Sequence, residues 1–81
     1  MERLTIARTR RWGNSSIQIN NVYSALRSKV RMDDVIRMAN DMIAKEQPTT
    51  NEEIEYEVLC SRDNGTTEFI HRVEKKGKRS I

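Results

Sequence analysis

The stretch IEYEVLCSRDNGTTEFIHRV, residues 54–73, decides the fold because it predicts a β-hairpin in the second half of the chain. Apolar and polar residues alternate on both sides of Asn64-Gly65, a dipeptide that is a strong signal for a tight hairpin turn. With a two-residue loop the predicted pairs are Cys60/Phe69, Val58/His71 and Tyr56/Val73 on one face and Glu57/Arg72 on the other. Apolar partners then meet on one face and opposite charges on the other, so the register is self-consistent.

A second hairpin is predicted at the start of the chain, where two alternating segments flank Gly13. A two-residue loop, 13–14, would mix arginine and isoleucine side chains on one face, so a three-residue loop, 13–15, is preferred. Its pairs are Arg11/Ile17, Arg10/Gln18 and Thr9/Ile19; one face carries Arg8, Arg10, Trp12 and Gln18, and the other Ala7, Thr9, Ile17 and Ile19. Leu4 and Ile6 share the parity of the arginines, which requires a bulge or a change of partner near Ala7.

The segment between the hairpins predicts one or two short helices. Asn20 or Asn21 is a candidate cap for the first, whose apolar residues recur at helical spacing: Val22, Tyr23, Leu26 and Val30. Asp33 is the candidate N-cap of the second, which Pro48 and the polar residues 49–51 terminate. Its apolar positions are Val35, Ile36, Met38, Ala39, Met42 and Ile43.

These patterns predict an α+β fold in which residues 1–74 form a single small domain and residues 75–81 a basic flexible tail. A chain of 81 residues has a small core, so a homodimer that buries a shared apolar face is expected. No apolar run reaches the roughly 18 residues of a membrane span, and the first residues do not resemble a secretory signal. A soluble, cytoplasmic protein without a membrane partner is expected, with Cys60 as a small core residue.

The net charge of +3 is strongly segregated along the chain. Residues 1–31 have seven cations and one carboxylate, residues 32–61 two cations and eight carboxylates, and residues 62–81 six cations and three carboxylates. Basic ends that flank an acidic middle suit a bound polyanion, although the acidic middle can equally offset charge within the fold or a dimer.

The sequence RRWGNSSIQI, residues 10–19, resembles the opening of AbrB/MazE-type (SpoVT-AbrB-like) antitoxins and transition regulators. The matching residues are Arg10, Arg11, Trp12, Gly13, Asn14 and Ser15, and weaker similarity continues at Val22, Ala25, Leu26 and Asp33-Asp34-Val35. In that family two chains interleave hairpins into a dimer, and a basic ribbon binds the major groove of DNA. The resemblance implies a DNA-binding transcription regulator or antitoxin-like protein, and a hairpin at residues 35–46, where the apolar pattern alone predicts a helix.

The predicted order of one strand and two helices is also similar to that of ribbon-helix-helix repressors, whose second helix begins with a polar cap followed by Val-Ile-Arg. Here those residues are Asp33 or Asp34, then Val35, Ile36 and Arg37. Both resemblances imply a two-stranded ribbon, which fits a major groove about 12 Å wide. The candidate DNA-binding residues are Arg8, Arg10, Arg11, Trp12, Asn14, Ser15 and Gln18. The same arginines are also typical of a protected strand edge, and a single tryptophan beside a turn more often packs than binds a base.

No motif indicates an enzyme, a metal site or a cofactor. The pair Asp33-Asp34 is typical of a helix start, and the glutamates of residues 52–57 are expected to face water. His71 has no second histidine to complete a metal site and is expected at the inner face or its rim. The alternative function is a small protein-binding inhibitor, toxin-neutralising or virus-encoded, that acts on a nucleic-acid-handling partner. It would add an edge of the C-terminal hairpin to the partner's sheet.

Overall fold

The computed structural model describes residues 1–13 and 16–78 and confirms an α+β fold. Its strands are β1 (Arg3–Trp12), β2 (Ile17–Leu26), β3 (Glu52–Ser61) and β4 (Thr67–Lys76), which form one antiparallel sheet in the order β2-β1-β3-β4. A short 3-10 turn, Arg27–Lys29, and helix α1 (Met32–Lys45) connect β2 to β3. The helix packs on β3, β4 and β1. We call the side of the sheet that faces α1 the helix face and the other side the open face.

The N-terminal hairpin has the register that a three-residue loop predicts, with Arg11/Ile17, Arg10/Gln18 and Thr9/Ile19 as pairs. The expected irregularity near Ala7 is also confirmed, because Val22 is an extra residue in β2 where the register shifts. Strand β1 itself continues without a shift against β3. Since side chains alternate along a strand, the even-numbered residues of β1 all lie on the helix face. The loop residues Asn14 and Ser15 lie outside the described residues.

The C-terminal hairpin keeps most of its predicted register, but its loop is one residue longer. The pairs Val58/His71, Tyr56/Val73 and Glu57/Arg72 are confirmed, whereas Cys60 pairs with Glu68 and Phe69 with Leu59. Arg62 N–H donates to the Thr66 carbonyl at 2.8 Å, and Gly65 has a φ of 84°, which is typical of a three-residue loop with a left-handed glycine. The register shift in β4 then restores the predicted pairs from His71 onward.

The first predicted helix is wrong, because residues 20–26 belong to β2 and only Arg27–Lys29 form a 3-10 turn. Pairing along the full length of β1 satisfies the backbone groups of both strands that face each other, which outweighs the weak helical spacing of four apolar residues. The second helix is confirmed, although it begins at Met32, with Arg31 rather than Asp33 at the N-cap position. Asp33 and Asp34 lie in its first turn, where carboxylates favour the helix dipole. Helix α1 therefore occupies residues for which the AbrB/MazE resemblance implies a hairpin.

The core lies between α1 and the helix face of the sheet. Its buried residues are Leu4, Ile6, Val35, Ala39, Ile54, Tyr56, Val58 and Cys60. Cys60 is thus the small core residue that was expected, with a free thiol. Among the described residues, no helix is long and apolar enough to cross a membrane.

Candidate nucleic-acid interface

The antiparallel strands bring two basic segments, residues 10–11 and 75–78, to one end of the sheet. Trp12 pairs with Glu52 at this end, and Glu53 pairs with Lys76. Gly13 N–H donates to the Asn51 carbonyl at 3.1 Å, and Asn51 N–H donates to the Lys78 carbonyl at 2.8 Å. We call this region, residues 10–13, 16–18, 49–54 and 75–78, the tip end. The opposite end consists of residues 1–3, 26–34 and 61–68.

The tip end has five cations and two carboxylates: Arg10, Arg11, Lys75, Lys76 and Lys78 against Glu52 and Glu53. One of these carboxylates, Glu52, is only 2% exposed. At the opposite end the charged side chains balance, with Arg3, Arg27, Lys29, Arg31 and Arg62 against Glu2, Asp33, Asp34, Asp63 and Glu68. The excess positive charge of the described side chains therefore concentrates at the tip end.

Arg10 lies at the centre of the tip end on the helix face. Its Nε donates to Glu52 Oε2 at 2.6 Å, and its guanidinium lies 4.7 Å from the centre of the Trp12 ring. Gln18 Oε1 lies 3.5 Å from Arg10 Nη1. The stacking of a guanidinium on an aromatic ring adds attraction to packing, so Arg10 and Trp12 hold each other in place. This agrees with a packing role for the half-buried Trp12.

Glu52 anchors this arrangement from the start of β3. Thr49 N–H and the Thr49 hydroxyl donate to Glu52 Oε1 at 2.9 and 3.1 Å. The Thr49 N–H, followed by Arg10, lowers the pKa of Glu52 because both stabilise the charged carboxylate. The buried charge of Glu52 is thus shared between the turn that precedes β3 and an arginine of β1.

Arg8, also on the helix face, contacts the residue that follows α1. Its Nε donates to Glu46 Oε2 at 2.5 Å and its Nη2 to Glu46 Oε1 at 3.1 Å, while the Tyr56 hydroxyl donates to Glu46 Oε2 at 2.5 Å. The Arg8 hydrogen bond is the main cause of a lowered pKa of Glu46. Arg8 therefore fastens the end of α1 to the sheet and is only partly exposed.

Arg11 lies on the open face and contacts the buried Glu55. Arg11 Nη1 donates to Glu55 Oε2 at 2.9 Å, and Arg72 Nη2 donates to the same oxygen at 2.7 Å. These guanidinium groups, Arg72 first, lower the pKa of Glu55 to about 2. The pKa of the neighbouring Glu57 is raised, mainly by its hydrogen bond with Glu55 and by burial. The expectation that these glutamates face water is therefore wrong for Glu52 and Glu55, which arginines of β1 cover.

The structure brings three predicted site residues together at the tip end: Arg10, Trp12 and Gln18. Arg11 lies at the same end but on the opposite face, and Arg8 lies further down β1. Asn14 and Ser15 lie outside the described residues. Sequence reasoning missed Lys76 and Lys78, because the tail was expected to be flexible from residue 75, whereas β4 extends to Lys76. The basic run in the tail was a signal, but only the strand order brings residues 75–78 to the same end of the sheet as Trp12.

His71, the remaining candidate metal ligand, has a structural partner. His71 Nε2 lies 3.1 Å from Asn40 Oδ1, so the histidine bridges β4 and α1. No group of three potential metal ligands occurs in residues 1–13 and 16–78. Comparison with models of known families, with curated proteins and with solved structures finds no match for this chain.

Proposed function

We propose that this protein binds DNA through the tip end and acts as a small DNA-binding regulator or an antitoxin-like protein. The observation that carries the proposal is the convergence of two basic segments, residues 10–11 and 75–78, which gives the tip end five cations and two carboxylates. The opposite end has no such excess. A polyanion is therefore attracted to one end of the molecule.

Lys76 and Lys78 are the cations best suited to contact phosphates. Both are exposed, and the contact of Lys76 Nζ with Glu53 Oε1 at 3.8 Å is a weak surface pair that a phosphate can replace. Each phosphate that a lysine neutralises releases condensed counterions, which makes binding salt-dependent. We therefore assign the part of the DNA affinity that does not depend on base sequence to Lys76 and Lys78.

Strand β2 offers groups at and next to the tip end that can contact bases or sugars. Gln18 and Asn20 are exposed on the helix face of β2, where they pair with Arg10 and Arg8. Side-chain amides can donate and accept hydrogen bonds with adenine in the major groove. Arg10 Nη1 lies 3.5 Å from Gln18 Oε1 and supports this amide from β1. Strand β1 pairs with β3 as well as with β2, so the predicted two-stranded ribbon is half of a four-stranded sheet, and the edge strand β2 is the strand that would approach the bases.

Arg8 and Arg11 are not assigned to DNA contact in this proposal. Arg8 holds Glu46, and Arg11 holds the buried Glu55. Moving either guanidinium onto a phosphate would leave a carboxylate in the fold without one of its partners, which costs free energy. The protein-binding alternative has less support at its predicted site, because β4 contains five charged residues, which discourage strand addition.

The test compares two double variants that remove the same charge from opposite ends. Affinity for random duplex DNA is measured over a range of salt concentrations for wild type, Lys76→Ala/Lys78→Ala and Lys29→Ala/Arg31→Ala. The tip-end variant is expected to flatten the log–log salt slope by up to about 1.8, since each phosphate contact contributes about 0.9. The opposite-end variant should keep the wild-type slope. Equal losses in both variants, or no salt-sensitive binding by the wild type, would reject the proposal.

A further inference from the structure

The two edges of the sheet differ in a way that the fold alone does not require. Strand β4, with the sequence TEFIHRVEKK, has five charged residues, whereas β2, with the sequence IQINNVYSAL, has none. Charged side chains are a common protection against pairing between exposed strand edges. In a chain with 33% charged residues, ten consecutive uncharged residues leave one edge of the sheet without that protection.

The uncharged edge is also exposed. Residues 17–22 of β2 are all exposed, and the side chains of Ile17 and Ile19 reach 58% and 65% relative exposure. Within the described part of the chain, β2 pairs with β1 alone, so its other side is open. Large apolar residues at such an edge are typical of an interaction surface.

The backbone of this edge can be oriented from the hairpin closure. Trp12 N–H donates to the Ser16 carbonyl at 3.0 Å, so residues 12 and 16 form a hydrogen-bonded pair. Hydrogen-bonded and non-hydrogen-bonded pairs alternate along an antiparallel ladder. The N–H and C=O groups of Ile17, Ile19 and Asn21 therefore point away from β1, towards the open edge.

We propose that β2 is a self-association edge that pairs, antiparallel, with β2 of a second copy of this chain. A two-fold axis between the two Ile19 residues places Ile17 opposite Asn21 of the second copy and Asn21 opposite Ile17 of the second copy. This register uses the regular stretch between the loop and the bulge at Val22, and it forms about six hydrogen bonds between the chains. The result is a continuous eight-stranded sheet with both α1 helices on the same side.

A second copy is favoured as the partner because the edge is complementary to itself. Two-fold pairing places each side chain beside a residue of the same uncharged strand, so no like charges face each other across the contact. Ile19 meets its own copy on the open face, which covers apolar surface that is exposed in the single chain. The pairing does not depend on DNA binding, and it gives the predicted homodimer a specific geometry.

The first test measures molar mass by light scattering over a range of concentrations, without DNA. Five paired residues make a small interface, so a concentration-dependent dimer is expected for the wild type. Ile19→Lys places two like charges opposite each other at the axis and should give a monomer with an unchanged far-UV circular dichroism spectrum. Phe69→Lys makes the same charge change at an exposed residue of β4 and should leave the dimer intact. A wild-type monomer at all concentrations, or equal effects of both variants, would overturn the proposal.

The second test fixes the register by disulfide cross-linking under mild oxidation. Ile19→Cys places two thiols directly opposite each other, about 5.5 Å apart between Cα atoms, a distance that a disulfide spans. Ile17→Cys places them about four residues apart along the strand, beyond disulfide reach. The native Cys60 is buried and can remain. Cross-linking by Ile19→Cys but not by Ile17→Cys is expected, and the reverse preference would overturn the proposed axis.

Discussion

At the scale of single residues, Arg8, Arg10 and Arg11 of β1 each contact a carboxylate that is less exposed than the arginine itself. The clearest case is Arg10, with 31% of its side chain exposed, and Glu52, with 2%. A buried carboxylate without a cationic or hydrogen-bonding partner is strongly destabilising. These arginines therefore stabilise the fold, whatever else the tip end binds.

The stability of the fold should depend on the ionised form of Glu55. Its pKa of about 2 lies below the ordinary value of 4.5, so its stabilising contribution is present above about pH 4.5 and lost as the pH falls towards 2. Glu55→Gln is expected to lower the free energy of unfolding by about 2 kcal/mol at pH 7, because the amide loses charge-assisted hydrogen bonds. The raised pKa of Glu57 acts in the opposite direction and reduces the net effect.

Urea unfolding at pH 7, pH 4 and pH 2.5 checks this prediction. The difference between wild type and Glu55→Gln should shrink as the pH falls. Glu74→Gln is the matched control, since Glu74 also contacts Arg72 but is an exposed residue, and less than about 0.5 kcal/mol is expected. A difference that is independent of pH would contradict the assigned role of Glu55.

The partners of these arginines are the part of the site that the sequence does not reveal. Arg8, Arg10 and Arg11 contact carboxylates that lie 38, 42 and 44 residues further along the chain. The cluster of arginines at residues 8–11 therefore predicts a binding surface from composition, whereas the pairing of β1 with β3 neutralises much of its charge. Only Arg10, Trp12 and Gln18 keep the predicted arrangement on one face of the tip end.

At the scale of elements, periodicity and turn residues predict both hairpins and α1 because their signals are local. The register of β1 and β2 follows from placing Arg10 and Ile17 on different faces of the hairpin. Residues this close in the sequence are enough to predict it. Residues 20–26 fail as a predicted helix because their partner is the first half of β1, which lies far along the chain. The extra residue Val22 also breaks strand alternation and so mimics helical spacing.

The junction between β4 and the turn before β3 depends on Gly77. Its N–H donates to the Glu52 carbonyl at 2.8 Å, and a Cβ at this position would collide with the Thr49 carbonyl. Gly77→Ala is therefore expected to destabilise the protein by at least about 1 kcal/mol, since a backbone group has to move.

Gly13→Ala is the matched control at the same end of the sheet. A Cβ there would lie 3.5 Å from the Asn51 Cβ, an ordinary contact, so little change is expected. Thermal unfolding of both variants measures the difference. Equal melting temperatures would contradict the close packing of Gly77 against Thr49.

At the scale of the whole molecule, the protein is elongated, with extents of 47 × 24 × 15 Å, and its excess charge lies at one end. Strand order produces this asymmetry, because it places the C-terminal ends of β1 and β4 at the same end of the sheet, on either side of the start of β3. The linear sequence shows the basic segments 10–11 and 75–78 but not that they lie at the same end of the sheet. An elongated molecule with one basic end is expected to contact DNA end-on, through the tip end.

The most direct test of DNA binding at the tip end is a titration with duplex DNA, followed by backbone amide chemical shifts. The largest changes are expected at the tip end, at Trp12, Gly13, Asn51 and Gly77, and at the Trp12 indole N–H. Residues at the opposite end, such as Lys29 and Gly65, should change little. Changes centred on residues 27–31 and 62–66, or no changes at all, would contradict the claim that the tip end binds DNA.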